Sequence, residues 1–265
     1  MQQLVYEAIK TENKNQYQVK DNLVIEAALQ ININKKPYTT VMRTPGNDKE
    51  LTRGLLYAED ICKSENFIYQ VNSYKTNHFS VVNITIPKDK LGKGYLNKRT
   101  LLSISSCGIC GRQTLESVES TGTSLKNMSR YTITQIKNMY RKMADSQILF
   151  QATGGCHATA AFDADGNFLS VMEDIGRHNT LDKVIGYLLF TDKLPSAKCI
   201  TVSGRVSYEV ISKAFTAKIP IVVAVSACSS LAVDYAKKMG ICLIGFNRGD
   251  KATIYSNPQY IKNYE

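Results

Sequence analysis

The sequence predicts a mixed α/β protein, α+β overall, with a small sheet-plus-helix domain over 1–127 and a three-layer α/β/α domain over 128–265. Three observations predict it. Apolar and polar residues alternate from 16 to 42 (Leu23, Ile25, then Leu29, Ile31, Ile33), the period of half-buried strands. Helical and strand patterns then take turns from residue 178 to 246, as in repeated α/β units. Within that stretch, Ile221-Val222-Val223-Ala224-Val225 and Ile241-Cys242-Leu243-Ile244-Gly245-Phe246 are unbroken apolar runs, the signature of strands covered on both faces.

Taken in order, the alternating strands end at Thr44-Pro45-Gly46-Asn47-Asp48, a cluster with turn chemistry. Leu51, Leu55, Leu56, Ala58 and Ile61 recur at helical spacing and predict one amphipathic helix. Strands are expected over 67–72 and 79–86, and Pro87 opens a polar segment leading to a cysteine-containing loop. Thr132 and Gln135 have the spacing of a capping box, ahead of a helix face made by Ile133, Ile136, Met139, Tyr140 and Met143. Strands at 158–162 and 168–172 flank Asp163-Ala164-Asp165-Gly166-Asn167, a hairpin signal. There follow a helix over 178–190, a strand at 199–202, a helix over 208–218, a strand at 221–225, a helix over 231–239 stopped by Gly240, and a strand at 241–246.

The 265 residues, 43% of them hydrophobic, suffice for one large or two modest cores. No apolar run approaches the roughly 18–20 residues of a membrane span. The first twenty residues are polar and lack the apolar core of a signal peptide, so a cytoplasmic, non-membrane protein is expected. Seven cysteines, an odd number spread over the chain, fit reduced thiols better than a disulfide framework. The net charge of +10 points to an anionic partner. The basic residues are dispersed and there is no Trp, so nothing supplies the stacking platform of a nucleic-acid groove, and no nucleic-acid partner is expected.

The most reactive stretch is Ser105-Ser106-Cys107-Gly108-Ile109-Cys110-Gly111-Arg112. It sets two thiols among small, flexible residues with a guanidinium behind them, and a neighbouring cation favours the thiolate. The same Cys-x-x-Cys spacing serves structural zinc, which here needs distant ligands because no second pair and no His-x3-His follows. Thiol chemistry at Cys107 and Cys110 with no metal is the favoured reading.

In open α/β sheets ligands bind beyond the carboxyl ends of the strands, where turns expose backbone N–H groups. Four turns are placed there: Thr153-Gly154-Gly155-Cys156-His157, Glu173-Asp174-Ile175-Gly176-Arg177-His178-Asn179, Ser203-Gly204-Arg205-Val206-Ser207, and Phe246-Asn247-Arg248-Gly249-Asp250-Lys251. Three combine glycine with arginine, a backbone open to close approach beside a fork of donors, which suits a diphosphate. The plain alternative for Arg177 is a pair with Glu173 or Asp174. His157 and His178 stand as acid/base groups, ligand contacts or loop-ordering side chains; His78 is assigned no role. Cys62, Cys199 and Cys242 read as core-filling residues in helix or strand, while Cys156 and Cys228, in loops near the expected pocket, stay open.

These motifs resemble the FdhD family of formate dehydrogenase accessory sulfurtransferases over roughly 38–255. The resemblance rests on Arg43-Thr44-Pro45-Gly46, the Ser105 to Gly111 loop, Thr153-Gly154-Gly155 with His157-Ala158, the Glu173 to Asn179 turn, Asp182-Lys183, Ser203-Gly204-Arg205 and Gly245-Phe246-Asn247-Arg248-Gly249. It implies a cytoplasmic homodimer that takes persulfide sulfur from a cysteine desulfurase. The sulfur would pass to the molybdenum bis(molybdopterin guanine dinucleotide) cofactor before insertion into the formate dehydrogenase catalytic subunit. It implies a cytidine-deaminase-like second domain, Cys107 as the persulfide carrier with Cys110 as partner, and Phe246 to Lys251 as a cofactor-binding segment. With Gly154, His157, Arg177, His178, Gly204 and Arg205, that segment makes the expected site, which GDP or GMP would partly fill.

Three other chemistries share some of these features. A zinc nucleobase deaminase needs His-x-Glu and a later Pro-Cys-x-x-Cys, which the corresponding helix starts lack. A thioredoxin-type oxidoreductase opens a helix with its Cys-x-x-Cys directly after a strand, unlike this glycine-flanked pair. A guanine-nucleotide or cofactor-binding chaperone, with a zinc-holding or redox Cys-x-x-Cys, is the remaining alternative.

Overall fold

The computed structural model describes residues 1–64, 68–73, 79–96, 123–126, 129–248 and 251–262. Cys107, Cys110, His78, Gly249 and Asp250 lie outside the described residues.

The chain opens with a hairpin of β1 (Gln3–Glu12) and β2 (Asn15–Val24), ten pairs in antiparallel register. Asn13 and Lys14 join the strands with φ of 47° and 68°, the left-handed pair of a type I′ turn. β1 lies in a polar stretch whose sequence predicts no strand. The reason is physical: both faces are largely exposed, so no buried set of residues imposes an alternation.

A four-stranded sheet follows, ordered β4-β3-β6-β5 and built from β3 (Ala27–Ile33), β4 (Lys36–Arg43), β5 (Ile68–Ser73) and β6 (Phe79–Thr85). Ala27, Leu29, Ile31 and Ile33 are buried in alternation along β3. The last three pack against Leu51, Leu55 and Leu56 of α1 (Asp48–Ala58). Arg43 grips Asp48 at the start of that helix with two bonds, Nε to Oδ1 at 2.8 Å and Nη2 to Oδ2 at 2.9 Å.

The second sheet is six-stranded and mixed, ordered β12-β11-β10-β9-β7-β8. Its elements are α2 (Ile133–Asp145), α3 (Ile148–Thr153), β7 (His157–Phe162), β8 (Phe168–Asp174), α4 (Arg177–Phe190), β9 (Cys199–Val202), α5 (Tyr208–Thr216), β10 (Ile221–Ala224), α6 (Ser230–Met239), β11 (Cys242–Arg248) and β12 (Lys251–Ser256). The capping box at Thr132 and Gln135 is formed in both directions, and Gly240 ends α6 at φ 73°. Strands β9, β10 and β11 are parallel; β7 runs antiparallel to β8 and β9, and β12 to β11.

Alternate residues of the apolar runs face opposite layers. Val222, Ala224 and Leu243 pack with α4, α5 and α6, whereas Ile221, Val223, Cys242 and Ile244 pack with Ile136, Met139 and Met143 of α2. This is the expected three-layer arrangement. Short α3 and the polar edge strand β12 are additions to the sequence reading. No helix among the described residues is long and apolar enough to cross a membrane.

Helices α1 and α4 cross at two glycines. A Cβ on Gly54 would meet the Asp182 carbonyl oxygen, and one on Gly186 would meet that of Glu50, at 1.8 Å and 1.9 Å. Backbone therefore touches backbone at the crossing, an approach open only to glycine.

Candidate anion site

Strand direction decides which loops meet. The Gly154 to His157 turn enters a strand rather than leaving one, which corrects the expectation that all four turns follow strand ends. Because β7 is antiparallel, His157 pairs with Asp174 at the end of β8, and Thr159 pairs with Val202 at the end of β9. Its amino end thus reaches the same sheet edge as the carboxyl ends of β8 to β11. The turn after β11 also differs from expectation: it leads into strand β12, with Arg248 paired to Lys251, rather than into a helix.

His157 is bound to the neighbouring loop. Its Nδ1 lies 3.3 Å from Ser203 Oγ, which accepts the Ala158 N–H at 2.9 Å. Burial holds its pKa below the ordinary histidine value, the Arg177 and Arg205 guanidiniums push it further down, and Asp174 opposes them. Two cations thus act on the ring, and both oppose its protonation. Gly204 permits the approach: a Cβ there would lie 3.3 Å from His157 Nδ1 and 3.4 Å from the Arg177 side chain.

The two carboxylates that precede Arg177 are committed elsewhere. Glu173 accepts the N–H groups of Leu149 and Phe150 at 2.9 and 2.8 Å. Asp174, fully buried, pairs with Lys183 at 2.7 Å and accepts from Gly176 N and Asn179 Nδ2, both at 2.8 Å. Thr44 N donates to Asp174 Oδ2 at 3.1 Å, Lys183 Nζ donates to Thr44 O at 3.1 Å, and Ile175 N donates to Thr44 Oγ1 at 3.1 Å. The Arg43 to Gly46 motif and the Glu173 to Asn179 motif are therefore two sides of one contact between the sheets.

His178 faces α5, with Nε2 3.2 Å from Ser207 Oγ and Nδ1 3.4 Å from Glu209 Oε2. Ser207 and Glu209 are partners that no motif in the sequence assigns to His178. The His178–Asp182 and Glu209–Lys213 spacings of four residues were the available signal.

At the end of β11, Phe246 takes φ 51°, a strained left-handed conformation for a bulky residue, where the ladder register shifts. It stays 43% exposed and donates its N–H to Ser226 O at 3.1 Å. Asn247 is 2% exposed, and its Oδ1 has no hydrogen-bond donor among the described residues.

Of the cysteines, Cys62, Cys199 and Cys242 are fully buried, Cys62 just beyond the end of α1 rather than within it. Burial and then a bond to Glu173 at 3.3 Å push the Cys156 thiol up to about 12. Burial raises Cys228 to about 11 and Cys242 to about 12, and also moves Cys199 upward. Each of these four is a neutral, poorly nucleophilic thiol near neutral pH.

A model of the FdhD/NarQ family matches residues 24–262. The chain belongs to the FdhD/NarQ family. Curated relatives named sulfur carrier protein FdhD include that of Sulfolobus acidocaldarius, 38% identical over 243 residues with 91% of each chain covered. That of Saccharolobus solfataricus is 36% identical over 260 residues, 97% of each chain. That of Mycobacterium tuberculosis is 37% identical over 253 residues, 91% of this chain and 92% of the relative. The fold is also that of a crystal structure described as a formate dehydrogenase accessory protein from Desulfotalea psychrophila. The TM-score is 0.77 at 20% identity, covering 99% of this chain and all of that one.

Proposed function

We propose that this FdhD/NarQ-family protein is a cytoplasmic sulfur carrier with persulfide-forming sulfurtransferase activity. Cys107 takes sulfur from a cysteine desulfurase and passes it to molybdenum in the bis(molybdopterin guanine dinucleotide) cofactor, held as cargo before insertion into formate dehydrogenase. A homodimer with a cytidine-deaminase-like second half belongs to the same reading. In the loading step the Cys107 thiolate attacks the outer sulfur of the donor persulfide. A new S–S bond forms on Cys107, the donor S–S bond breaks, and the donor leaves as thiolate.

The observation that carries the reading is the packing of Gly204 against His157 and the Arg177 side chain, with the Arg205 charge also acting on His157, at the sheet edge where α/β proteins bind phosphates. Two guanidiniums suit a diphosphate, which accepts paired donors from each. The exposed Phe246 ring offers a face for a base. The buried Asn247 Oδ1, without a donor among the described residues, is an acceptor of the kind that a purine's N–H donors satisfy. The other described thiols are buried or held in the neutral form, which supports assigning sulfur chemistry to Cys107 and Cys110.

Calorimetry with GDP on the full chain, free of divalent metal, tests the site. Binding below millimolar concentration is expected. No binding, or binding only with added metal, would mean that the pocket has been misread.

A further inference from the structure

Behind His178 stands a buried ionic quartet contributed by two helices. His178 and Asp182 sit four residues apart on α4, and Glu209 and Lys213 four apart on α5, so each pair projects from one helix face toward the other. His178 Nδ1 meets Glu209 Oε2 at 3.4 Å, Glu209 Oε1 meets Lys213 Nζ at 3.4 Å, and Lys213 Nζ meets Asp182 Oδ2. Burial deepens inward: the His178 and Glu209 side chains keep 13% exposure, those of Lys213 and Asp182 4% and 2%. An apolar quartet of similar volume would serve packing at least as well, because desolvating charges costs several kcal/mol per ion.

The charges settle into an order. Burial acts to lower the Lys213 pKa, but Asp182, Glu209 and Glu59 outweigh it and hold the ammonium protonated, whereas burial raises Asp182 to about 7 against the pull of Lys213. The ammonium lies 3.4 Å from Glu209 Oε1, and the other carboxylate oxygen of Glu209 faces the His178 ring. The neighbouring Arg177 on α4 is the like charge that opposes. At the outer end, Ser207 is the N-cap residue of α5, yet its side chain makes no capping bond to that helix and lies against His178 Nε2 instead.

We propose that the quartet fixes His178 as an imidazolium, so that Nε2–H donates to Ser207 Oγ and the Ser207 hydroxyl proton is left to bind the anionic ligand. An imidazolium has no acceptor nitrogen, so a serine oxygen beside it accepts and its own hydrogen turns elsewhere. Ser207 is then a donor to the ligand at a helix N-terminus, where anions are favoured. Glu209 is a positioning residue acting through His178. The inference rests on the anion site proposed above and adds two residues to it.

The test uses the full-length protein with nitrogen-15 histidine. His178 is assigned among the three rings by comparison with His178→Gln, and GDP affinity is measured on the same samples. At about pH 7 both His178 ring nitrogens are expected to be protonated in the wild type. Glu209→Gln should give a neutral ring and about tenfold weaker GDP binding, the worth of one charge-assisted contact. Glu209→Asp, which keeps the charge, should restore the protonated ring. Lowering the pH to ~5.5 should rescue GDP binding in Glu209→Gln but not in Ser207→Ala. A neutral His178 in the wild type would overturn the proposal whatever the variants do. So would wild-type affinity and pH dependence in Glu209→Gln. Failure of the wild type to bind GDP at all would refute the anion site itself, and the ring signals would still decide the state of His178.

Discussion

Thr44 and Asp174, 130 residues apart in sequence, are hydrogen-bonded to each other in the interior, with Lys183 bridging the Asp174 carboxylate and the Thr44 carbonyl. The contact ties the first sheet to the second at the carboxyl end of β8, which carries Glu173 and Asp174 and leads to Arg177 at the start of α4. Asp174 is also one of the charges felt by His157. The geometry of the anion site is thus set partly by a loop of the other sheet.

Lys183→Met is accordingly expected to destabilise the protein by about 3–5 kcal/mol, because it leaves the fully buried Asp174 carboxylate without its cation. Urea unfolding checks it. The paired change Lys183→Met with Asp174→Leu should recover part of the loss, since a charge is no longer stranded.

The glycines separate two kinds of constraint. Gly54→Ala drives a methyl group to 1.8 Å from the Asp182 carbonyl oxygen, so α1 and α4 must move apart, with an expected loss of about 3 kcal/mol or more. Gly154→Ala meets no atom of the described residues within 4 Å and suffers from φ +64°, about 1–2 kcal/mol. Thermal unfolding of the two variants should show the larger drop for Gly54.

Much of this was legible in the sequence where burial imposes a period. The strand at Cys199–Val202 was bounded correctly because every one of its residues is buried, and Thr132 with Gln135 marked the start of α2. Where burial is absent the pattern is silent. The β1–β2 hairpin is exposed on both faces, α3 buries only Leu149, and β12 is a largely exposed edge strand. Of the site, the glycine and arginine turns were visible, but their partners were not. Ser203 with His157, and Ser207 and Glu209 with His178, are brought together by strand direction and helix packing, neither of which leaves a local signal.

The thiols give a pH prediction with a definite sign. Burial raises Cys156 from 9.0 to about 12 and Cys228 from 9.0 to about 11. A folded-state pKa above the unfolded one contributes stability that is whole below about pH 9 and is lost as pH rises through the folded value. The protein should lose stability between about pH 9 and pH 12. In a variant with Cys107 and Cys110 replaced by serine, iodoacetamide at about pH 8 should leave the native protein unlabelled and modify it only on unfolding.

Arg248, at the end of β11, tests the proposed phosphate grip. Arg248→Ala should weaken GDP binding by about 1.5–3 kcal/mol, the usual worth of a hydrogen bond to a charged group, and leave sulfur loading on Cys107 intact. Loss of both would show that Arg248 supports the fold or couples the two activities. Loss of neither would place the anion elsewhere.

The most direct test of the sulfur-carrier account is peptide mass spectrometry after the purified protein is incubated with a cysteine desulfurase and cysteine. One added sulfur atom on the Cys107 peptide, absent in Cys107→Ala while that variant remains folded, is the predicted result. An unmodified Cys107 peptide, or the added sulfur on Cys156 or Cys228 instead, would contradict the account.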